Sequence, residues 1–312
     1  MMIYKKIKAL GTDLEFYLQS DVHRNFEYDL KELEFLIGNF EKRFSRFNEA
    51  SELSLLNKAG GIFKASSELI NLLLLAKDFY KTTDGIFDPT ILRSLEKQGY
   101  NKSFDSAEFN TSIIEPDVSS VKIDFSQVTL DPKNNLVTLP AGLKIDLGGI
   151  GKGYIVDVLV KKIKAKGYHN FWISAGGDMY LSGVDQENKP YQVNVQNPEE
   201  LTKNLFNLTV TNHELAVATS GVAKRQWLNN GKKYHHIIDP RTGLSVDNEV
   251  LAVTVVSSQV VKADIYAKTV LILGKEQGLE FINQQDNSEA LIISRNLEVS
   301  LSKNMNNYLT TI

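Results

Sequence analysis

Cysteine is absent from all 312 residues. That excludes disulfides, thiolate metal sites, a cysteine nucleophile and a lipid-modified N-terminal cysteine. An excess of either charge is also missing: 35 Lys and Arg stand against 38 Asp and Glu, a net charge of −3 with a pI near 6.0. A chain so balanced is expected neither to bind nucleic acid nor to lie on an anionic membrane. Long apolar runs are wanting too. The longest, LINLLLLA at 69–76, is too short to span a bilayer, so no membrane insertion is expected. The opening stretch MMIYKKIKALGTDLEFYL has lysines but neither the apolar core nor the small-residue cleavage site of a secretory signal, and the expected location is cytoplasmic.

Histidine is scarce, with five in the chain. Two of the five are adjacent in YHHIIDPRTGLSV, residues 234–246. Asp239-Pro240-Arg241-Thr242-Gly243 reads as a tight turn, with Pro fixing φ at its second position and Gly accepting positive φ at its close. Tyr234 to Ile238 then reads as a short strand whose side chains alternate, so His235 and His236 face opposite ways. One is expected in solvent and the other at a site.

Apolar residues at 42% and charged residues at 23% are ordinary globular values. The length suits one large domain or two lobes. Alternation of Leu14, Phe16 and Leu18 predicts a strand over 12–18, and Leu30, Leu33, Ile37, Phe40 and Phe44 predict a helix over 29–44. A second helix is expected at 66–81, closed by Gly85. The polar, breaker-rich stretch 97–120 is the expected seam between lobes. Strands follow at VKIDF, VTL, LVTL and LKIDL from residue 121 onward, and a helix at 153–166 ends at Gly167. Further strands are expected at 170–174, 190–196, 205–211, 215–219, 234–238 and 250–257. A helix pair, 261–273 and 275–284, precedes strands at 290–294 and 297–301. Helices early and late with antiparallel strands between favour an α+β class over a doubly wound sheet.

KIDLGGIGKGYIVDVLV, residues 144–160, reads as strand, glycine-rich turn and helix. Its glycines allow close backbone approach, the helix N-terminus suits an anion, and Lys152 adds a charge. The dinucleotide fingerprint fails because Tyr154 stands where glycine is needed. The P-loop fails because Gly153 stands where Ser or Thr is needed. Taken alone, such glycines serve structure as often as phosphate binding.

In register, FSRFNEASELSLLN (44–57), DGIFDPT, DLGGIGKGYIVD, SAGGDMYLSG, ATSG, HHIIDPRTG and VVSSQVVKADIYAKTVLILG (255–274) resemble the FAD:protein FMN transferases, the ApbE-type flavin transferases. The resemblance runs from about Gly11 to Gly274. It implies a two-lobed α+β fold related to the T-fold. It also implies FAD as substrate and Mg²⁺, with FMN passed to a Thr hydroxyl of a partner flavoprotein carrying Asp/Ser-Gly-x-Thr-x-Thr and AMP released. FAD hydrolysis to FMN and AMP, or FAD binding without catalysis, are the alternatives.

Position by position, the resemblance gives His236 as the base that takes the Thr proton and His235 as a bystander. It gives Leu10, Phe47, Asn48, Ile86, Phe87, Asp88, Gly148, Gly149, Lys152, Ile237 and Ile238 as flavin-nucleotide contacts. Metal positions would be Gly151, through its carbonyl, and Asp264 with a Thr one helical turn on. Here the chain departs from the family: Lys268 stands at that Thr position, and Thr269 follows one step late. In a helix, i+5 is displaced by a further ~100° from i+4. An i,i+4 pair of Lys268 with Asp264 would repel Mg²⁺. Altered ligands, a lysine replacing one metal charge, or lost activity are the three outcomes. After DGIFDPT the chain has ILRSLEKQGYNKSFD where many relatives carry a longer Gly-Pro-Leu-rich run with a Trp.

Overall fold

A computed structural model describes residues 1–100, 124–209, 214–223, 225–229 and 231–310. Seven α-helices are described, in chain order: α1 (Phe26–Phe44), α2 (Glu52–Ala59), α3 (Ser67–Thr82), α4 (Leu92–Lys97), α5 (Gly151–Ala165), α6 (Val260–Leu273) and α7 (Lys275–Asn283). The chain divides into two compact units. One comprises Met1–Gly38, Gly151–Ala223 and Asn248–Ile312; the other comprises Asn39–Ile150 and Lys224–Asp247. The seam expected at 97–120 falls within the second unit's stretch, and 101–120 lies outside the described residues.

The first unit is built on an eight-stranded antiparallel sheet. Its strands neighbour one another in chain order: β1 (Met2–Ala9), β2 (Thr12–Gln19), β3 (Asn170–Ala175), β4 (Asp178–Ser182), β5 (Glu214–Gly221), β6 (Val250–Ser257), β7 (Glu289–Ser294) and β8 (Val299–Leu301). The β1–β2 hairpin closes on Leu10 and Gly11, both at positive φ (57° and 64°), the twist that two-residue loops require. Leu14, Phe16 and Leu18 on β2 are fully buried, each worth about 1.5–3 kcal/mol. Beside the sheet, Leu181, Leu215, Val217, Val256, Leu291 and Ile293 form one core cluster with Val193, Val195 and Leu208 of a smaller three-stranded sheet. Helix α6 packs on β5 and β6 and against α5 and α7. It is buried nearly all round, and its apolar residues on every face suit that position.

The second unit holds α2, α3 and α4 and a three-stranded sheet in the order 61–64, 136–139, 129–131. Ser66 caps α3 by accepting from the Leu69 N–H at 3.2 Å, and Leu69, Leu72, Leu73 and Ala76 are buried together with Ile70 and Phe79, while Tyr80 is half-buried. Two short hairpins, 226–229 with 232–235 and 238–239 with 244–245, complete it.

Most expected elements are present within a few residues, and every strand pairing described is antiparallel. Three expectations are corrected. LKIDL at 143–147 is not a strand. Asn57 bonds both backbone groups of Ile145 at 2.8 Å each, and Asp146 N–H donates to Pro89 O at 2.7 Å, so side chain and loop take the place of a partner strand. Phe125–Gln127 forms a 3₁₀ turn rather than the end of a strand, while 121–123 lie outside the described residues. Tyr234 to Ile238 is broken at His236 and Ile237. The Ile237 N–H turns onto His235 Nδ1 at 3.3 Å and leaves the ladder.

Candidate functional site

Within the second unit, Asp146 organises the approach to the glycine turn. Its Oδ2 lies 2.7 Å from Arg46 Nε, with both side chains over 90% buried, and its Oδ1 accepts from the Gly148 N–H at 2.5 Å. A Cβ on Gly148 would meet Asp146 Oδ1 at 2.7 Å, so a larger residue there would displace that carboxylate. The Phe87 ring lies 3.4 Å from where a Gly149 Cβ would be. Arg46 is itself held between rings, 4.2 Å from the Phe47 centroid and 4.6 Å from that of Tyr100, and donates to Tyr100 O at 2.9 Å. Tyr100 stacks on Trp227 at 5.5 Å, and Trp227 on Tyr234 at 6.5 Å.

Gln98 fastens the histidine segment. Its side chain donates to Gly243 O at 2.8 Å and accepts from the Ser245 N–H at 3.1 Å, and its backbone carbonyl accepts from Trp227 Nε1 at 2.7 Å. The 239–243 turn forms as predicted. Gly243 N–H donates to Asp239 O at 2.8 Å with φ of 70°, and Arg241 pairs with the Asp239 carboxylate at 2.8 Å. His235 is not the solvated histidine expected. It is buried, Nε2 is 2.8 Å from Val246 O, and Nδ1 accepts from Ile237 N–H. Both contacts fit the Nε2–H tautomer, so this imidazole is committed to the backbone. His236 is half-buried.

The other second-unit positions divide by what they touch. Phe47 keeps 41% of its surface exposed, a ring face suited to stacking. Asn48 is tied locally, donating to Lys42 O at 2.9 Å and accepting from Ala50 N–H at 3.1 Å. Asp88 accepts from Thr90 N–H at 2.7 Å and Thr90 Oγ1 at 2.6 Å, and burial raises its pKa. Ile86, Phe87, Ile237 and Ile238 are buried.

The first unit carries two buried ion pairs. Gly151 opens α5. Lys152 pairs with Asp178 at the head of β4, and Lys268 pairs with Asp264 one turn back on α6. Both aspartates are almost wholly buried. The Thr269 hydroxyl, fully buried, donates to Ile265 O at 2.9 Å. Leu10 is half-buried at its strained φ. Gly153 explains how α5 meets α6: a Cβ there would stand 2.5 Å from Val261 Cα. Gly153→Ala is therefore expected to force the two helices apart and cost about 1–3 kcal/mol, read as a lower urea midpoint. Four residues on, Asp157 accepts from the N–H groups of Val260 (2.9 Å) and Val261 (3.0 Å), capping the α6 N-terminus from outside the helix.

Burial pushes the Asp157 carboxyl up to about 6 despite those two hydrogen bonds. A folded-state pKa above the unfolded one means that its contribution is full below about pH 4 and lost as pH rises through about 6. Relative to Asp157→Asn, the native chain is expected to lose on the order of 2–3 kcal/mol across that window. Denaturation midpoints of the two proteins at pH 4 and pH 7 check the slope.

As arranged, the side chains of the first unit do not make a divalent-cation site. Lys268 occupies one oxygen of Asp264, Thr269 is committed to its own helix, and no cluster of three His, Asp or Glu suited to a metal occurs among the described residues. Sequence reasoning passed over Arg46, Gln98, Tyr100, Asp146, Asp157, Asp178 and Trp227 as working residues. Arg46 and Asp146 lay inside quoted motifs, but only their pairing across a hundred residues distinguishes them.

The ApbE family pattern matches residues 10–292. The chain belongs to the ApbE family. The FAD:protein FMN transferase of Haemophilus influenzae is 23% identical over 297 residues, covering 92% of this chain and 85% of that protein. The FAD:protein FMN transferase of Vibrio cholerae is 24% identical over 254 residues, covering 80% and 74%. In fold, the ApbE protein of Thermotoga maritima superposes with a TM-score of 0.87 at 24% identity over the whole of both chains. The flavin transferase ApbE of Vibrio cholerae gives 0.81 at 21% identity over 99% of each.

Proposed function

We propose that this chain is an FAD:protein FMN transferase. It takes FAD as substrate, passes FMN to a threonine hydroxyl of a partner flavoprotein and releases AMP. The observation that carries this reading is the family match across residues 10–292, which spans every motif segment from the first aromatic stretch to α6. In the reaction, the threonine oxygen bonds to the flavin-side phosphorus and the bond from that phosphorus to the bridging oxygen breaks. AMP leaves with the bridging oxygen, and the threonine proton goes to a base.

His236 is that base. The family resemblance puts the base at this position, whereas His235 is bound to backbone through both ring nitrogens. The Gly148–Gly149 turn, fixed by Asp146 and Arg46, offers backbone approach to a pyrophosphate, and the exposed Phe47 ring offers a stacking face. Lys152, paired with Asp178 in the first unit, is a nucleotide contact on the family resemblance. Ile86, Ile237 and Ile238 supply apolar surface within the second unit, Asp88 holds its turn, and Leu10 is a flavin contact on the family resemblance. The acceptor carries an Asp/Ser-Gly-x-Thr-x-Thr segment. Neither nucleic acid nor a bilayer enters the reading: the net charge is −3, and among the described residues no helix is long and apolar enough to cross a membrane.

The test is AMP release from FAD, followed by chromatography with and without an acceptor domain bearing Asp-Gly-x-Thr-x-Thr. AMP that appears only with acceptor is the expected result. AMP and free FMN formed equally without it would make the chain an FAD pyrophosphatase instead.

A further inference from the structure

We propose that the Lys268 ammonium is a built-in cation that stands at Asp264 in place of a divalent metal, so that the chain transfers FMN without one. The inference rests on the transferase reading above. Helix α6 is buried on nearly every side, and its only described ion pair is Lys268 with Asp264, whose side chains are 16% and 3% exposed. Burying two opposite charges costs more than filling the same space with apolar groups. A helix kept only for packing would not carry them.

The charge count points the same way. In these two buried ion pairs each lysine is matched by one aspartate, Lys152 by Asp178 and Lys268 by Asp264, so neither pair carries net negative charge. A divalent cation needs several oxygen ligands with net negative charge. Here the Asp264 Oδ2 atom is buried and without a hydrogen-bond partner among the described residues, a single carboxylate oxygen on α6 beside a lysine. Thr269, the nearest hydroxyl in sequence, sits one residue past the i+4 position and donates to Ile265 O.

An ammonium has three donors. Asp264 takes two of them, through Oδ1 and through its carbonyl at 3.4 Å. The third is left for an anionic oxygen. Lysine binds phosphate as a point charge, so a phosphate oxygen is the ligand that this donor fits. Asp264 then positions the ammonium, and Lys268 supplies the charge that a metal would bring.

Two measurements test this. In the first, the native chain, FAD and the acceptor domain are assayed in excess EDTA and in Mg²⁺; the expected initial rates are equal. In the second, Mn²⁺ is titrated and the bound ion followed by electron paramagnetic resonance, a readout independent of turnover. The native chain is expected to show no site dependent on Asp264. Removing the like charge in Lys268→Thr is expected to create one that binds at least about tenfold tighter, and adding Asp264→Asn to abolish it. Transfer that stops in EDTA would overturn the proposal, as would a Mn²⁺ site in the native chain that Asp264→Asn removes. If no FMN transfer occurs under either condition, the transferase reading fails, and the titration of the native chain alone decides the role of Lys268.

Discussion

His236→Ala is expected to reduce FMN transfer by about 10²–10⁴-fold while leaving FAD bound, the range that loss of a positioned general base produces. Initial rates of AMP release and a flavin fluorescence titration measure the two quantities separately. The contrast with its neighbour sharpens the expectation. His235 is buried, bonded to Val246 O at 2.8 Å and receives the Ile237 N–H. His235→Ala should lower stability by opening that bend, with a loss of transfer that tracks the unfolded fraction. A His236→Ala protein with native activity would remove the base assignment and leave proton transfer to another group.

Arg46→Ala is expected to be the most damaging single change in the second unit. It would leave Asp146 buried and charged without its partner, a situation that costs about 3–5 kcal/mol. The rings of Phe47 and Tyr100 would lose the guanidinium between them, and the carboxylate that holds Gly148 N–H would lose its anchor. Thermal unfolding measures the stability loss. The double substitution Arg46→Ala with Asp146→Ala should be less damaging than the two single costs added, because it removes the orphaned charge. Equal and additive costs would mean that the pair is not coupled. Any surviving Arg46→Ala protein should bind FAD more weakly if the turn meets the pyrophosphate as proposed, since that turn is no longer fixed.

The sequence made the helices legible wherever apolar spacing was long, as in α1 with Leu30, Leu33 and Ile37, or α6 with its continuous apolar surface. Strand β6 was readable from its run of valines, and β2 from strict alternation. LKIDL misled because its alternation is that of a strand, yet its hydrogen bonds go to Asn57 and Pro89, partners 88 and 57 residues distant that no local pattern reveals. The histidine segment misled for the reverse reason. A side chain, His235, captured the backbone of Ile237 and ended the ladder that period-2 reasoning extended.

Of the candidate site, the glycines and His236 could be named because their motifs resemble the family's in residue type and spacing. The Asp264–Lys268 pair was legible because i and i+4 share a helix face. Arg46 with Asp146, and Gln98 with Gly243 and Ser245, join segments 100 or more residues apart, and only folding brings them together. Asp157 belongs to the same class, since its carboxylate caps a helix that begins 103 residues later.

The most direct test of the account is intact-mass analysis of an acceptor domain bearing Asp-Gly-x-Thr-x-Thr after incubation with this chain and FAD, followed by peptide mapping. The account predicts a gain of one FMN, located on the motif threonine and absent when that threonine is replaced by alanine. An acceptor of unchanged mass, with FMN and AMP free in solution, would contradict it.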